Sequence, residues 1–135
     1  MIHLARPCLG KLILSWVGPS VFYAGDVGAV PAGVPGVYVL SAFTKRDPTL
    51  VPFYVGQSCD VRRRLTEHLI GQRTFAKHLR SHLPTYFHVA VVSDPAIRAA
   101  AEAALIWSLS PVGNDVVPAA PPIELNPPKF TLLDP

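Results

Sequence analysis

The sequence has few cysteines, few charges and no long uninterrupted apolar run, and each shortage excludes a class of protein. Its 135 residues include two cysteines, Cys8 and Cys59, which are too few for a disulfide framework and do not form a CxxC pair that could bind zinc. Only 16% of the residues are charged and 50% are hydrophobic, which is typical of a folded globular chain. No apolar stretch is long enough to cross a membrane. We therefore expect a reduced, cytoplasmic protein that does not contact a membrane.

One apolar run near the N-terminus, LILSWVGPSVFYAG (12–25), leaves a secretory signal peptide as an alternative. Arg6 and Lys11 precede the run, as basic residues precede the core of a signal peptide. However, Gly18-Pro19 interrupts it, and the small-residue cleavage pattern that should follow is poor. We therefore favour a cytoplasmic location over secretion.

The charges are unevenly distributed along the chain. Residues 36–90 carry eight Lys and Arg against three Asp and Glu, whereas residues 91–135 carry two against five. A basic region of this kind is where a polyanion such as nucleic acid would bind, because Lys and Arg neutralise phosphates. A solvated basic surface without a ligand explains the same charge equally well, so the charge pattern alone leaves both interpretations open.

Three segments have the composition of β-strands. They are GVYVLSAF (36–43), FYVG (53–56) and TYFHVAVV (85–92), all rich in β-branched and aromatic residues. The first two are predicted to form an antiparallel pair, because a polar, proline-containing connection joins them.

Three helices are predicted around these strands. The first begins at Asp60, whose side chain can cap it, and ends before Gly71. A short second helix ends at Pro84. The third spans 95–109, opens with a proline and ends before Pro111.

The chain is predicted to form one domain with an extension at each end, since its length supports a single modest core. Residues 1–35 form an N-terminal extension that packs on the core as a strand or short helix followed by a loop. Residues 36–115 form the domain itself. Residues 116–135 form a tail in which six of twenty residues are proline, which predicts either an extended strap over the surface or disorder.

Helical geometry distinguishes the three arginines of DVRRRLTEH (60–68). Arg64 lies at the edge of the buried stripe of the first helix, and His68 follows it by one turn. These two side chains can therefore face a pocket beside the sheet. Arg62 and Arg63 point elsewhere, where they meet either a phosphate backbone or water.

Glu102 is the only charged residue in the apolar segment AAAEAALIWSLSP (99–111), which predicts a largely buried helix. A buried carboxylate without a partner costs several kcal/mol, so it needs a cation, a hydrogen-bond network or an opening to solvent. A hard divalent metal ion, which prefers oxygen ligands, would satisfy it. An ion pair with Arg98, one helical turn earlier, is the alternative.

Taken together, these motifs resemble those of the GIY-YIG nuclease family. GVY (36–38) stands for the first family motif and YVG (54–56) for the second, and Arg64 lies ten positions beyond Tyr54, where the family has its catalytic arginine. EAALIWSLSPVGN (102–114) matches the distal element, with a glutamate and an asparagine at its ends. The resemblance covers residues 36–114.

The resemblance implies an α+β fold, with a central three-stranded antiparallel sheet flanked by helices, and a single Mg²⁺ or Mn²⁺ ion bound by Glu102. It implies that Arg64 neutralises the charge that develops on the phosphate, and that Tyr38 helps to remove the proton from the attacking water. The remaining implied site residues position the water and phosphate or support the local backbone or metal shell; they are Tyr54, His68 and Asn114.

Tyr38 and Tyr54 are sixteen positions apart, farther than is usual in the family, which predicts a longer hairpin loop beside the site. Basic residues in this loop and on the predicted helices are the candidates for binding nucleic acid. They are Lys45, Arg46, Arg62, Arg63, Arg73 and Lys77.

The expected function is that of a metal-dependent endonuclease that hydrolyses phosphodiester bonds in DNA, in preference to RNA. The alternative is a non-catalytic nucleic-acid-binding module with the same fold. Because a single small domain leaves little room for a separate targeting domain, self-association or a targeting partner protein is also expected.

Overall fold

A four-stranded antiparallel sheet forms the centre of the protein. The computed structural model describes residues 11–43, 49–70, 85–114, 118 and 123–131. The elements, in chain order, are β1 (Lys11–Leu12), β2 (Trp16–Val21), α1 (Ala24–Gly28), β3 (Gly36–Phe43), β4 (Leu50–Ser58), α2 (Val61–Leu69), β5 (Thr85–Val91), α3 (Pro95–Leu109) and β6 (Glu124–Leu125). The strand order in the sheet is β2-β5-β3-β4, and β1 pairs with β6 in a separate two-stranded ladder.

The predicted α+β architecture, an antiparallel sheet flanked by helices, is confirmed. β3 lies between β4 and β5 and is antiparallel to both. The sheet has one strand more than expected, because β2 adds to the outer edge of β5. The sequence did not indicate this strand because Gly18-Pro19 interrupts its apolar pattern. At this point the register with β5 shifts between Val17 and Ser20, and Gly18 has a φ of 129°, a conformation that favours glycine.

The two faces of the sheet carry separate hydrophobic clusters. On one face, Tyr38 and Leu40 of β3 pack with Val61 and Leu65 of α2 and with Val27 of α1. On the opposite face, α3 covers the other side chains of the same strands, with Ala101, Leu105 and Ile106 packed against Val37, Val39 and Val55. The two faces are called the α2 face and the α3 face below.

The helices α2 and α3 begin directly after residues whose side chains cap them. Asp60 accepts a hydrogen bond from the Arg63 backbone N–H at the start of α2, and Asp94 accepts from Ala96 and Ile97 at the start of α3. The α3 helix spans the predicted range but is not buried on all sides, since Ile97 is 44% exposed. A helix packed on only one face of a sheet leaves its outer side in solvent.

The described part of the tail, residues 123–131, runs as an extended strap along the α3 face. Asn126 accepts a hydrogen bond from the Leu14 backbone N–H at 2.7 Å and donates to the Leu14 carbonyl at 2.8 Å. Farther on, the Leu50 N–H donates to the Phe130 carbonyl at 2.6 Å. The strap therefore joins the start of β4 to the N-terminal strand β1.

Several predicted features lie outside the described residues. These are the short helix ending at Pro84 and four of the candidate nucleic-acid-binding residues, Lys45, Arg46, Arg73 and Lys77. Among the helices that are described, none combines the length and apolar character needed to cross a membrane.

Candidate active site

Three aromatic side chains meet on the α2 face. The Tyr38 hydroxyl lies 2.8 Å from Nε2 of His68, and both side chains are almost fully buried. Their ring centroids are 5.7 Å apart, and the Tyr54 ring lies 5.4 Å from His68 and 6.3 Å from Tyr38. The residues contributed by β3, β4 and α2 therefore form one cluster.

Two features of β4 make room for this cluster. Gly56 faces Tyr38 across the β3–β4 ladder, and a Cβ atom at this position would collide with the Tyr38 hydroxyl. The glycine of YVG is therefore required by the close approach of the ring. The register also shifts between Leu40 and Ser41, so one extra β4 residue lies beside Tyr54; bulges of this kind re-aim side chains next to functional sites.

Arg64 brings a positive charge to the edge of the cluster. It forms a hydrogen bond to Tyr38, and its Nη1 also lies 3.0 Å from Oε1 of Glu67. The side chains of Arg64 and Glu67 are each about half exposed, so their ion pair is worth little energy and can be exchanged for another anion. The guanidinium is thus bound at one end to Tyr38 and accessible to solvent at the other.

The environment of Tyr38 keeps its hydroxyl protonated. Burial raises the pKa of Tyr38 well above its usual value, and the neighbouring Tyr54 raises it further. Arg64 acts in the opposite direction but does not compensate. The positive charge of Arg64 favours ionisation of the hydroxyl, but the desolvation of the buried ring outweighs it.

Glu102 approaches the cluster from α3. It is half buried, and this burial raises the pKa of its carboxyl group, while a hydrogen bond from the Gln57 amide lowers it. Glu102 also lies close enough to Tyr38 to contribute to the raised pKa of that hydroxyl. A carboxylate and a guanidinium therefore both lie near the Tyr38 hydroxyl.

The alternative partner for Glu102, Arg98, is engaged elsewhere. Arg98 donates from Nε to Oε1 of Gln57 at 2.8 Å, and from Nη1 to the carbonyls of Val92 and Ser93, both at 3.3 Å. Within the described residues, no ion pair joins Arg98 to Glu102. The guanidinium is thus occupied by Gln57 and by the carbonyls that precede α3.

The donor set suits a hard cation that keeps most of its water. Among the described residues, no group of three or more His, Cys, Asp and Glu side chains could hold a metal ion. Mg²⁺ needs no such cage, because it commonly binds through one or two carboxylates and retains several water molecules. A half-buried carboxylate with no cationic partner in the described part of the chain fits this requirement.

Asn114 holds the backbone beside the site. Its Oδ1 accepts a hydrogen bond from the Val55 N–H and its Nδ2 donates to the Val55 carbonyl, both at 2.9 Å. β4 is an edge strand, so these outward-facing backbone groups have no strand partner and the side chain takes its place. Of the two roles considered for Asn114, the structure gives it a role in supporting the backbone.

The remaining predicted residues lie on the outer surface of α2. Arg62 and Arg63 are exposed, on the side of the helix away from the buried stripe of Val61 and Leu65. Sequence reasoning did not identify Gln57. Its position directly after YVG was the available signal, but a polar residue at the end of a strand is too common to stand out.

The site and fold can now be compared with known proteins. No protein-family model matches the chain, and no curated protein sequence is significantly similar to it. Solved structures of the GIY-YIG N-terminal endonuclease domain of UvrC from Thermotoga maritima do match. The magnesium-bound form has a TM-score of 0.51 and 22% identity, covering 68% of this chain and 99% of that chain.

Two point mutants of the same domain, each bound to its catalytic divalent cation, match equally well. A tyrosine-to-phenylalanine mutant has a TM-score of 0.52 and 22% identity, and an asparagine-to-alanine mutant has 0.52 and 21%. Both matches cover 70% of this chain and the whole of that domain. The chain therefore has the GIY-YIG fold.

Proposed function

We propose that the protein is a divalent-metal-dependent endonuclease that hydrolyses phosphodiester bonds in DNA. One observation carries the proposal: Tyr38, which is hydrogen-bonded to His68 and to Arg64, lies beside a half-buried carboxylate, Glu102, that is not paired with a cation among the described residues. The similar solved domains bind a catalytic divalent cation, magnesium in one case. All five motif positions that the family uses are filled here.

Arg64 is proposed to bind the reacting phosphate. Among the described residues its exposed end pairs with Glu67, in a half-exposed ion pair that a phosphate oxygen can replace. A guanidinium presents several donors in a planar fork that matches phosphate geometry. Its hydrogen bond to Tyr38 keeps the charge close to the hydroxyl that acts on the water.

Tyr38 and His68 are proposed to share the work of the general base. Burial raises the pKa of Tyr38 and keeps its hydroxyl protonated, so the hydroxyl can donate to Nε2 of His68, 2.8 Å away, in the tautomer that leaves this nitrogen without a proton. The Tyr38 oxygen can then accept a proton from the attacking water as it passes its own proton to His68. Tyr54 borders both rings and would position the water.

Glu102 is proposed to hold the metal ion, Mg²⁺ or Mn²⁺. When bound, such an ion supplies positive charge at the phosphate and at the leaving 3′ oxygen. Asn114 contributes indirectly, since it fixes the backbone of Val55 directly after Tyr54.

Replacing Glu102 tests the proposal. Cleavage of a labelled DNA should require Mg²⁺ or Mn²⁺, should stop with EDTA, and should fall at least about 100-fold in Glu102→Gln, which keeps the shape but loses the charge. Glu124→Gln, on the strap, is the matched control and should cleave at the wild-type rate. Undiminished cleavage by Glu102→Gln would rule out the proposed metal ligand.

A second variant separates catalysis from binding alone. Arg64→Ala should keep most DNA affinity and lose turnover, because Arg62, Arg63 and other basic residues remain to contact the backbone. Equal loss of affinity and turnover, or an inactive wild-type protein that binds DNA, would favour the non-catalytic binding module instead.

The substrate class within this proposal is DNA rather than RNA, and a panel of single-stranded, double-stranded and branched DNA and RNA oligonucleotides would define it. Binding should weaken as salt rises, because phosphate contacts release counterions. A cytoplasmic setting and a targeting partner or second copy of the chain also belong to the proposal. Cys59, free and exposed, is compatible with a reducing compartment.

A further inference from the structure

Gln57 connects the strand that carries Tyr54 to the helix that carries Glu102. It is the residue after Gly56 on β4, opposite Val37 of β3. Since side chains alternate along a strand, Gln57 lies on the α3 face, as Val55 does, whereas Gly56 faces Tyr38. The amide therefore lies on the side of the sheet that α3 covers, where α3 carries Arg98 and Glu102.

Arg98 fixes which end of this amide faces Glu102. A guanidinium can only donate hydrogen bonds, so the atom of Gln57 that faces Nε of Arg98 must be the oxygen. Arg98 is itself 8% exposed and anchored to the carbonyls of Val92 and Ser93. The NH₂ group of Gln57 is consequently left to face Glu102, with which it forms a hydrogen bond.

This arrangement orients the Glu102 carboxylate without pairing it with a cation. A direct pair between Arg98 and Glu102, one helical turn apart, would neutralise the carboxylate and occupy its lone pairs. Gln57 instead lies between the two and satisfies one acceptor site with a neutral donor. An ionised carboxylate has about four acceptor sites, so the others stay open to a cation.

We propose that Gln57, oriented by Arg98, is a positioning residue that holds the Glu102 carboxylate in the orientation needed to bind a divalent cation. The inference rests on the function proposed above. It predicts that removing the amide weakens metal binding while leaving the chemistry of the bound complex largely intact.

Mn²⁺ binding to the full chain, measured by isothermal titration calorimetry, tests this role. Gln57→Met, which keeps the length and loses the amide, should weaken Mn²⁺ binding about 10-fold to 100-fold, as is typical when a group that orients a metal ligand is lost. Gln57→Asn keeps the amide but is one methylene too short, and it should weaken binding in the same way. If Gln57→Met does not fold, Gln57→Asn can be compared with the wild type in its place.

The matched control is Val51→Met, which places the same side chain on the same strand at a position that is 48% exposed. It should bind Mn²⁺ like the wild type. DNA cleavage supplies a second readout: at saturating Mn²⁺ Gln57→Met should recover most of its rate, whereas a residue that merely stabilised the fold would lose rate at every metal concentration.

The outcomes separate this inference from the proposed function. Mn²⁺ affinity of both Gln57 variants within about threefold of wild type, with binding lost in Glu102→Gln, would overturn the positioning role alone. Wild-type Mn²⁺ affinity in Glu102→Gln would overturn the metal site itself, and the positioning role with it. Weakened binding in the Gln57 variants and lost binding in Glu102→Gln supports both.

Discussion

Two buried histidines lie on opposite faces of the same sheet, and they differ in what surrounds them. His68 is 3% exposed and lies on the α2 face, where its Nε2 meets the Tyr38 hydroxyl at 2.8 Å. His88 is fully buried on the α3 face, where its Nε2 meets the backbone carbonyl of Lys129 at 2.8 Å. The two side chains are equal in burial and in hydrogen-bond length.

The two histidines differ in the group that their Nε2 atom contacts. A tyrosine hydroxyl can give or accept a proton, so the bond to His68 can carry proton transfer. A backbone carbonyl only accepts, so His88 must donate to Lys129 and serves to attach the strap to the sheet. Trp16 and Phe130 enclose His88, at centroid distances of 6.4 and 5.5 Å. Burial of a histidine therefore does not by itself indicate catalysis.

Replacing each histidine with phenylalanine is expected to give the largest contrast. His68→Phe should lower kcat by about 100-fold or more, because it removes the acceptor of the Tyr38 proton. His88→Phe should leave kcat nearly unchanged and reduce the free energy of unfolding by about 1–3 kcal/mol, since the Lys129 carbonyl loses its donor. Cleavage rates at saturating metal and urea unfolding measure the two effects. Full activity in His68→Phe would contradict the proton-transfer role.

Two asparagines give a second comparison between the site and the strap, with a smaller expected effect on activity than the histidines. Asn114 and Asn126 each bond to both the N–H and the C=O of one residue, Val55 and Leu14 respectively. Replacing either with alanine should lower the free energy of unfolding by about 1–3 kcal/mol.

Only one of these substitutions should affect catalysis. Asn114→Ala should also reduce kcat about tenfold, because a small displacement of Tyr54 disturbs a positioned site. Asn126→Ala should cleave DNA at the wild-type rate after its lower stability is taken into account. Equal loss of activity in both variants would show that the strap, too, supports the site.

The local features of the fold were predictable from the sequence because each has a local cause. The strand β3 is the segment GVYVLSAF, whose β-branched residues begin after a proline and a glycine. The helix α3 is preceded by the capping residue Asp94, begins with a proline and ends before Pro111. β2 was not predictable as a strand of the sheet. Gly18-Pro19 interrupts its pattern, and its pairing with β5 joins segments far apart in the chain.

Some residues of the candidate site could also be predicted from the sequence, and others could not. Arg64 and His68 could be grouped from their spacing of one helical turn, and Tyr38 and Tyr54 joined them through the resemblance to the GIY-YIG motifs. The position of Gln57 between Arg98 and Glu102 depends on how α3 crosses β4, which no local period encodes. The alternative pair of Arg98 with Glu102 had the correct spacing, but Arg98 donates to Gln57 and to the carbonyls before α3 instead.

The smallest predicted effect is the contribution of His88 to the pH dependence of stability. Burial lowers the pKa of His88 in the folded protein, and its Nδ1 lies buried without a hydrogen-bond partner in the described structure. Above about pH 6.5 the imidazole is neutral in both states and contributes no pH dependence. As the pH falls below that value, the unfolded chain binds a proton that the folded chain resists, so the free energy of unfolding decreases.

The expected decrease is at most about 1.4 kcal/mol per pH unit, and it should end once the pH passes the lower folded-state value. Urea unfolding of wild type and His88→Phe between pH 7.5 and 5 measures it, and the difference between the two proteins isolates His88 because His68 is present in both. The stability gap between them should narrow as the pH falls, since only the wild type loses this contribution. If the difference in free energy of unfolding between the two proteins stays constant with pH, the strap must shift so that His88 binds its proton in the folded state. In that case the α3 face would adapt to protonation without unfolding.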